Sequence, residues 1–244
     1  MFLIVTKSEE TDHSKFRHLT SHISTLQDIE SSMPLLDKYR AIIVLGGDGT
    51  ILRLCQLYKS LPCIIPVNHG TLGFLTTYNK DHTVEDLSDR SMMKIERRRL
   101  VINSTHYFLN EIVVTSRVRR LNTFEISIKD KIDKLVLKGD SLIISTMTGS
   151  SAYNHSIHGP LLLTDDVYLI NLVAPCKSLF RPLVVNIKDT VEVSCEGGLV
   201  LIDGKEHEMS RVKVEYDGNS VCFLADETYK KNKKIIDLLN NTNL

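Results

Sequence analysis

The feature that most constrains the fold is an apolar run followed at once by a cluster of glycines. Residues 41–45 are all apolar and three of them are β-branched, which is typical of a strand buried on both faces. The cluster Gly46-Gly47-Asp48-Gly49-Thr50 comes next. Between residues 51 and 61, apolar residues recur at spacings of three and four, which predicts a helix packed on the sheet. The glycine cluster therefore lies where a buried strand gives way to a helix.

This strand-to-helix turn predicts a phosphate-binding site. The first N–H groups of a helix lack intrahelical partners, and the helix dipole favours an anion there. Glycines let a phosphate approach the backbone closely. Asp48 would repel a phosphate, so its presence favours a second role, as acceptor of a proton from an attacking hydroxyl or as a partner of Mg²⁺. The alternative is that Asp48 or Thr50 only caps the helix and the glycines form a tight turn.

Composition excludes several classes of protein. The 244 residues suffice for one large domain or two small ones. Thirty basic residues balance 30 acidic ones, so no overall field attracts nucleic acid or anionic lipid. No apolar run approaches the roughly 20 residues that span a bilayer, and residues 1–7 are too short and lack the basic leader of a secretory signal. The five cysteines form no Cys-x-x-Cys pair, which favours reduced thiols and a cytoplasmic protein.

The first ninety residues alternate between strand and helix patterns. Residues 1–6, 41–45 and 62–67 are predicted strands. Predicted helices are residues 50–60 and 81–90, with a weaker candidate within 9–27 and a short helix or turn at 32–38. Such alternation predicts a mostly parallel sheet with covering helices, and ligands collect beyond the carboxyl ends of its strands. The glycine cluster and the loop at 68–74 should therefore lie on the same edge.

From about residue 95 the pattern becomes β. Apolar and polar residues alternate in 124–129, 191–195 and 212–216, with turn signals between these segments, which predicts an antiparallel sandwich. The tail from residue 227 is predicted to be an amphipathic helix that packs back on the first half. The expected organisation is an α/β domain at 1–95, an all-β sandwich at 96–226 and a C-terminal helix at 227–244.

Three further stretches carry unusual chemistry. Asn110-Glu111 precedes an apolar run, and together these side chains could hydrogen-bond a base edge or a ribose diol. Residues 138–156 are rich in hydroxyls, which suits a ligand-lining loop, a helix-capping turn, or both. Residues 179–185 and 202–205 form the third stretch. Arginines at 97–99, 117, 119 and 120 are better explained by a solvated rim or a subunit contact than by a substrate site.

In this order, the motifs resemble those of the NAD kinase family. The matching segments are 46–50, 68–75, 110–111, 139–153, 180–184 and 203–204, so the resemblance spans residues 41 to 205. The Gly-Gly-Asp-Gly-Thr motif alone also resembles diacylglycerol and sphingosine kinases and phosphofructokinases. The Ala-Tyr stretch at 152–153, taken with Asn110-Glu111, separates the NAD kinases from these families.

The resemblance implies a reaction, a fold and partners. It implies transfer of the terminal phosphoryl group of ATP or polyphosphate to the 2′-hydroxyl of the adenosine ribose of NAD⁺, giving NADP⁺, with Mg²⁺ or another divalent cation. It implies a Rossmann-like N-terminal domain and a β-sandwich that together enclose the dinucleotide, in homodimers or homotetramers. NAD⁺ and ATP are the expected partners, without nucleic acid or membrane.

The resemblance also assigns roles to residues. Asp48 would accept the proton of the 2′-hydroxyl, Gly49 would let the ribose approach, and Phe74 would stack near the adenine. Asn110 and Glu111 would bind the adenosine part. The remaining expected nucleotide-binding residues are Gly46, Gly47, Thr50, Lys138, Asp140, Ser151, Ala152, Tyr153, Ser156, Ala174 and Lys205.

Several positions depart from the family pattern. Ser141 replaces a glycine, Met147 replaces a proline, and Lys205 stands where glutamine is usual. Lys205 suits a phosphate contact and solvent equally well. His155 and His158 have the spacing of a metal pair, but without a third ligand packing or solvent exposure is favoured.

Two rival functions remain open. A lipid kinase on the related scaffold requires an apolar entrance, and the hydroxyl-rich loop is a poor wall for an acyl chain. A non-catalytic NAD(P)-binding sensor is compatible with Ser141 and Lys205, whereas the presence of Asp48 favours an enzyme.

Overall fold

A computed structural model of the chain describes residues 1–16, 21–70, 73–79, 92–117, 121–176 and 180–225. The helix expected at 81–90 and the C-terminal helix expected at 227–244 lie outside these ranges. The chain divides into two compact units. The first comprises Met1–Arg97 and the returning segment that begins at Val221, and the second is Arg98–Ser220.

The described residues form many strands and few helices. The helices are α1 (Leu26–Ser32), α2 (Asp48–Leu57) and the single turn α3 (Tyr153–Ser156). The strands are β1 (Phe2–Thr6), β2 (Ser21–Thr25), β3 (Ala41–Gly46), β4 (Cys63–Asn68), β5 (Tyr78–Asn79), β6 (Met93–Arg98), β7 (Leu100–Ile102), β8 (His106–Phe108), β9 (Glu111–Ser116), β10 (Asn122–Ile128), β11 (Ile132–Gly139), β12 (Ser141–Ser145), β13 (Val167–Val173), β14 (Leu183–Asn186), β15 (Val191–Cys195), β16 (Gly198–Ile202), β17 (Lys205–Glu208), β18 (Arg211–Glu215) and β19 (Ser220–Ala225).

The first unit is built on a seven-stranded sheet. Its order is β2-β1-β3-β4-β19-β6, and β5 pairs with β4. The pairs β1–β2, β1–β3, β3–β4, β4–β5 and β4–β19 are all parallel. Every residue of β3 is buried, as a central parallel strand requires. The prediction of a parallel α/β sheet is confirmed.

The helix candidate within residues 9–27 is wrong. Residues Ser14–Phe16 form a short 3₁₀ turn, and β2 then pairs in parallel with β1. Ile23 is the only apolar residue of β2 and is itself 45% exposed. This edge strand therefore lacks the apolar alternation that would identify it. Helix α1 begins only at Leu26, where Thr25 and Asp28 form a capping box through N–H···O bonds of 3.1 Å in each direction.

The second unit is an antiparallel sandwich of two six-stranded sheets. One sheet has the order β11-β10-β15-β18-β7-β8, and the other β14-β13-β12-β9-β16-β17. One buried cluster joins Phe124, Ile126 and Val193 of the first sheet to Ile144 and Ile170 of the second. The α/β plus all-β fold class is therefore confirmed.

The expected boundaries of the sandwich need a correction at both ends. Strand β19, expected in the sandwich, pairs with β4 in the first sheet, with Phe223 opposite Ile64. Strand β6 also belongs to that sheet. The alternation of Val221, Phe223 and Ala225 shows that the segment is a strand but does not reveal which sheet it joins. Within the described ranges, no helix has the length and apolar character needed to cross a bilayer.

Candidate active site

The glycine cluster forms the turn from β3 into α2. Gly46 ends the strand, Gly47 caps the helix with an extended backbone, and Asp48 is the first helical residue. A Cβ on Gly46 would lie 2.5 Å from the Oγ1 atom of buried Thr50, so packing requires glycine at this position. The turn therefore has the geometry that the sequence predicts.

Gly47 and Gly49 differ from Gly46. A Cβ added to either would meet no atom within 4 Å, and neither residue has a left-handed backbone. The packing and the backbone conformation of the protein therefore do not require glycine at these two positions. Such glycines expose backbone N–H groups at a helix start, where an anionic ligand binds favourably.

Asp48 is held by the loop that follows β4. Its Oδ2 accepts a hydrogen bond from the Phe74 N–H at 2.8 Å, and its Oδ1 accepts one from the Leu75 N–H at 3.0 Å. These bonds confirm that the glycine turn and this loop share one edge of the sheet. A carboxylate has about four lone-pair sites, so two amides fix its orientation and leave acceptor capacity on each oxygen.

A cleft of about 750 Å³ opens beside the glycine turn, a volume in the range of small-molecule sites. Gly46, Gly47, Gly49 and Thr50 form part of its wall. Its charged lining residues are Lys7, Glu10, Asp12 and Arg53. Arg53 pairs with Glu30 and donates to the Gln56 side chain at 2.9 Å, so its guanidinium is held at the wall.

In the second unit, the Asn110-Glu111 segment is organised by Asp203. The Asp203 carboxylate accepts hydrogen bonds from three consecutive backbone N–H groups, those of Leu109 at 2.8 Å, Asn110 at 2.9 Å and Glu111 at 3.0 Å. Loss of solvent raises the pKa of Asp203 to about 6, while the three amides and Arg99 act in the opposite direction.

Of the acids in this segment, Glu111 has the most strongly shifted pKa. Burial, and then the charge of Asp203, raises its pKa to about 8, although the Tyr153 backbone N–H donates to it and lowers the pKa. Glu111 therefore carries a proton at neutral pH. Its Oε2 atom is buried and has no hydrogen-bond partner among the described residues. A ligand hydroxyl or ring nitrogen would satisfy this atom.

The hydroxyl-rich stretch forms a 3₁₀ turn at Gly149–Ser151 followed by α3. Ser151 donates to the Thr148 carbonyl at 3.2 Å, and Ser156 donates to the Tyr153 carbonyl at 2.7 Å. These hydroxyls therefore stabilise the turn by donating to carbonyls three residues earlier, whereas neither short helix begins with a side-chain cap of the kind that the capping alternative predicted. Tyr153 remains 40% exposed beside the Glu111 carboxyl.

The structure separates the remaining predicted residues into two groups. The Asp140 N–H donates to the Val173 carbonyl at 2.9 Å, so Lys138, Asp140 and Ala174 lie at the Ser141 end of β12. Glu111 pairs with Ser145 at the other end. Four strand steps separate these ends by about 13 Å. Lys205 is exposed at the start of β17.

Three residues that shape the site were not among the predicted ones: Thr146, Gly149 and Asp203. The Thr146 N–H donates to the Asn110 carbonyl at 2.9 Å, and Gly149 packs on the Asn110 backbone. The Asp203-Gly204 dipeptide was a visible turn signal. Its sequence alone does not indicate which distant amides the aspartate binds.

The chain combines a parallel-sheet unit that carries Gly-Gly-Asp-Gly-Thr at a strand end with an antiparallel sandwich, and the domain families that it matches are those of a kinase, an enzyme of the phosphotransferase class. Residues 4–93 match the ATP-NAD kinase N-terminal domain, and residues 109–222 match the ATP-NAD kinase C-terminal domain. The two domains together match most of the chain. The chain belongs to the ATP-NAD kinase family.

Individual relatives agree with this assignment. The chain is 30% identical to the NAD kinase of Wigglesworthia glossinidia brevipalpis over 87% of its own length and 74% of that protein. It is 31% identical to the NAD kinase of Thermoplasma acidophilum over 88% of its own length and 81% of that protein. It also matches the bifunctional NADP phosphatase/NAD kinase of Methanococcus maripaludis with 29% identity over 93% of the chain. The chain spans only 43% of that longer relative.

Solved structures show the same fold. An NAD kinase from Archaeoglobus fulgidus in complex with ATP superposes with a TM-score of 0.81 at 22% identity, covering 98% of both chains. Yeast NADH kinase complexed with NADH gives a TM-score of 0.78 at 19% identity, covering 100% of this chain and 89% of that one.

Proposed function

We propose that this protein transfers the terminal phosphoryl group of ATP to the 2′-hydroxyl of the adenosine ribose of NAD⁺, giving NADP⁺, with Asp48 as the proton acceptor. One observation carries the proposal. Two backbone amides orient the Asp48 carboxylate at a helix start where Gly47 and Gly49 leave open space. The description of the matching ATP-NAD kinase family supports the same pair of substrates, and the names of the relatives support NAD.

The cleft of the first unit suits a polyphosphate. Backbone N–H groups at the start of α2 and the Lys7 ammonium are candidate donors for phosphate oxygens, and the Arg53 guanidinium is held at the wall by Glu30. Inorganic polyphosphate would use the same donors, so it remains an alternative phosphoryl source.

The proposed reaction includes Mg²⁺, and carboxylates of the cleft can bind the ion. Among the described residues, no group of three or more His, Cys, Asp or Glu side chains is placed to bind a metal ion. A nucleotide-bound Mg²⁺ needs only one or two protein carboxylates, because phosphates and water fill its other positions. Glu10 and Asp12 line the cleft and can supply these ligands. When bound, the ion would neutralise charge on the phosphates.

The proposed reaction has a simple balance. The ribose oxygen forms a bond to the γ-phosphorus, the bond from that phosphorus to the ADP oxygen breaks, and the hydroxyl proton passes to Asp48. A positioned base of this kind contributes a factor of about 10²–10⁴. Orientation of the two substrates and charge stabilisation by backbone donors supply the larger part of the acceleration.

The second unit would bind the adenosine part of NAD⁺. The protonated Glu111 can donate to an acceptor on the ligand, and its partnerless Oε2 can accept from a hydroxyl. The Asn110 amide adds one donor and one acceptor group. Assembly as a homodimer or homotetramer stays a prediction from the resemblance, and a cytoplasmic location stays a prediction from the cysteine pattern.

The direct test is to incubate the purified protein with ATP, Mg²⁺ and NAD⁺ and to measure NADP⁺ by chromatography. We expect NADP⁺ to form, and we expect Asp48→Asn to reduce kcat at least a hundredfold because the proton acceptor is lost. The control is Asp37→Asn, which changes an exposed aspartate in the turn before β3. It should leave kcat within twofold of the wild-type value.

Several outcomes would reject the proposal. A wild-type protein that forms no NADP⁺, or an Asp48→Asn variant with near-normal kcat, contradicts it. Tight NADP⁺ binding without turnover would favour the sensor. Phosphorylation of diacylglycerol or a sphingoid base in place of NAD⁺ would favour the lipid kinase.

A further inference from the structure

We propose that Asp203 is a positioning residue that holds the Asn110-Glu111 backbone in the conformation that binds the dinucleotide. This inference rests on the proposed function, because it assigns the segment a ligand. Asp203 makes four hydrogen bonds to residues 109–111. Its carboxylate accepts from three N–H groups, and its own N–H donates to the Glu111 carbonyl at 3.0 Å.

The turn between β16 and β17 does not by itself explain an aspartate. Asp203 has a φ of 42° and Gly204 a φ of 85°, and both Asp-Gly and Asn-Gly favour this left-handed pair. Asparagine, however, has only one acceptor atom on its side chain. In the structure, Oδ2 binds the Leu109 N–H and Oδ1 binds the other two amides. The turn accepts either residue, whereas the three amides require the carboxylate.

The other side of the same segment is also fixed. The Thr146 N–H donates to the Asn110 carbonyl at 2.9 Å, and the Thr146 hydroxyl donates to the Leu109 carbonyl. A Cβ on Gly149 would overlap the Asn110 carbonyl group. The N–H groups of residues 109–111 thus donate to Asp203, and their carbonyls accept from Thr146 and Asp203. The Asn110 and Glu111 side chains take no part in these backbone bonds, which leaves them for the proposed ligand.

Charge also links Asp203 to Glu111. Buried Arg99 favours the charged form of Asp203, and its guanidinium lies 4.6 Å from the centre of the Tyr107 ring. The charge of Asp203 in turn contributes to the raised pKa of Glu111. The same carboxylate therefore fixes the backbone of the segment and favours the protonated form of its binding side chain.

The test compares Asp203→Asn with Asp130→Asn by steady-state kinetics. Asp130 also has a left-handed φ, 59°, but lies exposed in the turn between β10 and β11, so it is a matched control. We expect Asp203→Asn to raise the KM for NAD⁺ at least tenfold and to leave the KM for ATP within twofold. Asp130→Asn should change neither. A merely structural role would lower the active fraction, and so the apparent kcat, without this split between substrates.

A second pair of variants keeps the test decisive if Asp203→Asn does not fold. Thr146→Val removes the hydroxyl that binds Leu109, and Thr146→Ser retains it. We expect the valine variant to raise the KM for NAD⁺ and the serine variant to preserve it. An unchanged KM for NAD⁺ in folded Asp203→Asn, or equal values in the two Thr146 variants when Asp203→Asn is unfolded, overturns the positioning role.

The failure of the proposed function would look different. If the wild-type protein forms no NADP⁺, calorimetric titration with NAD⁺ tests the positioning role alone. Weaker binding by Asp203→Asn than by wild type supports that role, and equal binding contradicts it. A wild-type protein that does not bind NAD⁺ overturns both proposals.

Discussion

The two units prepare their ligand-facing backbone in opposite ways. In the first unit, Gly47 and Gly49 have open space around them at the start of α2, the end of a helix where the first N–H groups lack α-helical partners. In the second unit, the amides and carbonyls of residues 109–111 are engaged by Asp203 and Thr146, and Gly149 has no room for a Cβ. The first arrangement binds through backbone, whereas the second fixes the backbone so that side chains can bind.

The ionisable side chains of the two units also differ, because Lys7, Glu10 and Asp12 of the first unit are exposed to solvent and Glu111 of the second is not. Lys7, Glu10 and Asp12 line an open cleft in water, where a charged polyphosphate can exchange its hydration for protein contacts. Glu111 is instead partly desolvated, and its raised pKa keeps it neutral at pH 7. A neutral carboxyl can donate a hydrogen bond, so it suits an uncharged part of a nucleotide. The comparison therefore predicts different consequences for similar substitutions in the two units.

The largest expected effect is that of Gly149→Ala. The new Cβ would overlap backbone atoms of Asn110, which cannot move without breaking the bonds to Asp203 and Thr146. We expect the free energy of unfolding to fall by about 3 kcal/mol, measured by chemical denaturation. Gly47→Ala makes the same chemical change in open space and should cost less than about 0.5 kcal/mol. Equal losses in the two variants would contradict the comparison.

A pH titration of stability tests the electrostatic half of the comparison. Glu111 binds its proton up to a pKa of about 8 in the folded protein, against 4.5 when unperturbed, so the unfolded state binds fewer protons between these values. The free energy of unfolding should therefore fall as pH rises from 4.5 to 8, and Glu111 alone contributes at most about 1.4 kcal/mol per pH unit. Asp203, with its pKa raised to about 6, acts in the same direction at the lower end of this window.

Glu111→Gln removes this titration and should flatten the pH dependence of the unfolding midpoint between pH 6 and 8. Glu196→Gln, at an exposed turn, is the control and should follow the wild-type curve. If Glu111→Gln keeps the wild-type slope, the proton does not reside on Glu111.

The sequence predicted the parts of the molecule whose residues carry a local signature. The buried run of β3, the turn at Gly46 and the helix after it follow from apolar spacing and glycine content. The alternating strands of the sandwich were predicted for the same reason. Edge strand β2 was missed because Ile23 is its only apolar residue, so its sequence shows no alternation.

The features that the sequence did not predict depend on partners that are distant along the chain. The pattern of β19 does not reveal that its neighbour is β4, although Phe223 lies opposite Ile64 from a distant part of the sequence. Likewise, the sequence predicts only a turn at Asp203. The structure shows that its carboxylate binds amides more than 90 positions away. Asp48 could be selected from its motif, but the amides of Phe74 and Leu75 that orient it were not predicted.

A change of stability in the opposite direction, and the sharpest contrast with Gly149, comes from Gly49→Ala. Gly49 is helical and its Cβ would enter open space, so alanine should stabilise the protein by up to about 1 kcal/mol by restricting the unfolded chain. The same methyl would occupy the wall of the cleft where the proposed substrates approach. We expect NADP⁺ formation to fall at least tenfold while the melting temperature stays level or rises. Ser31→Ala changes an exposed residue of α1 that does not line the cleft, and it should leave the rate unchanged. A Gly49→Ala variant with normal turnover would mean that this glycine does not border the reacting groups, and the open turn of the first unit would lose its proposed purpose.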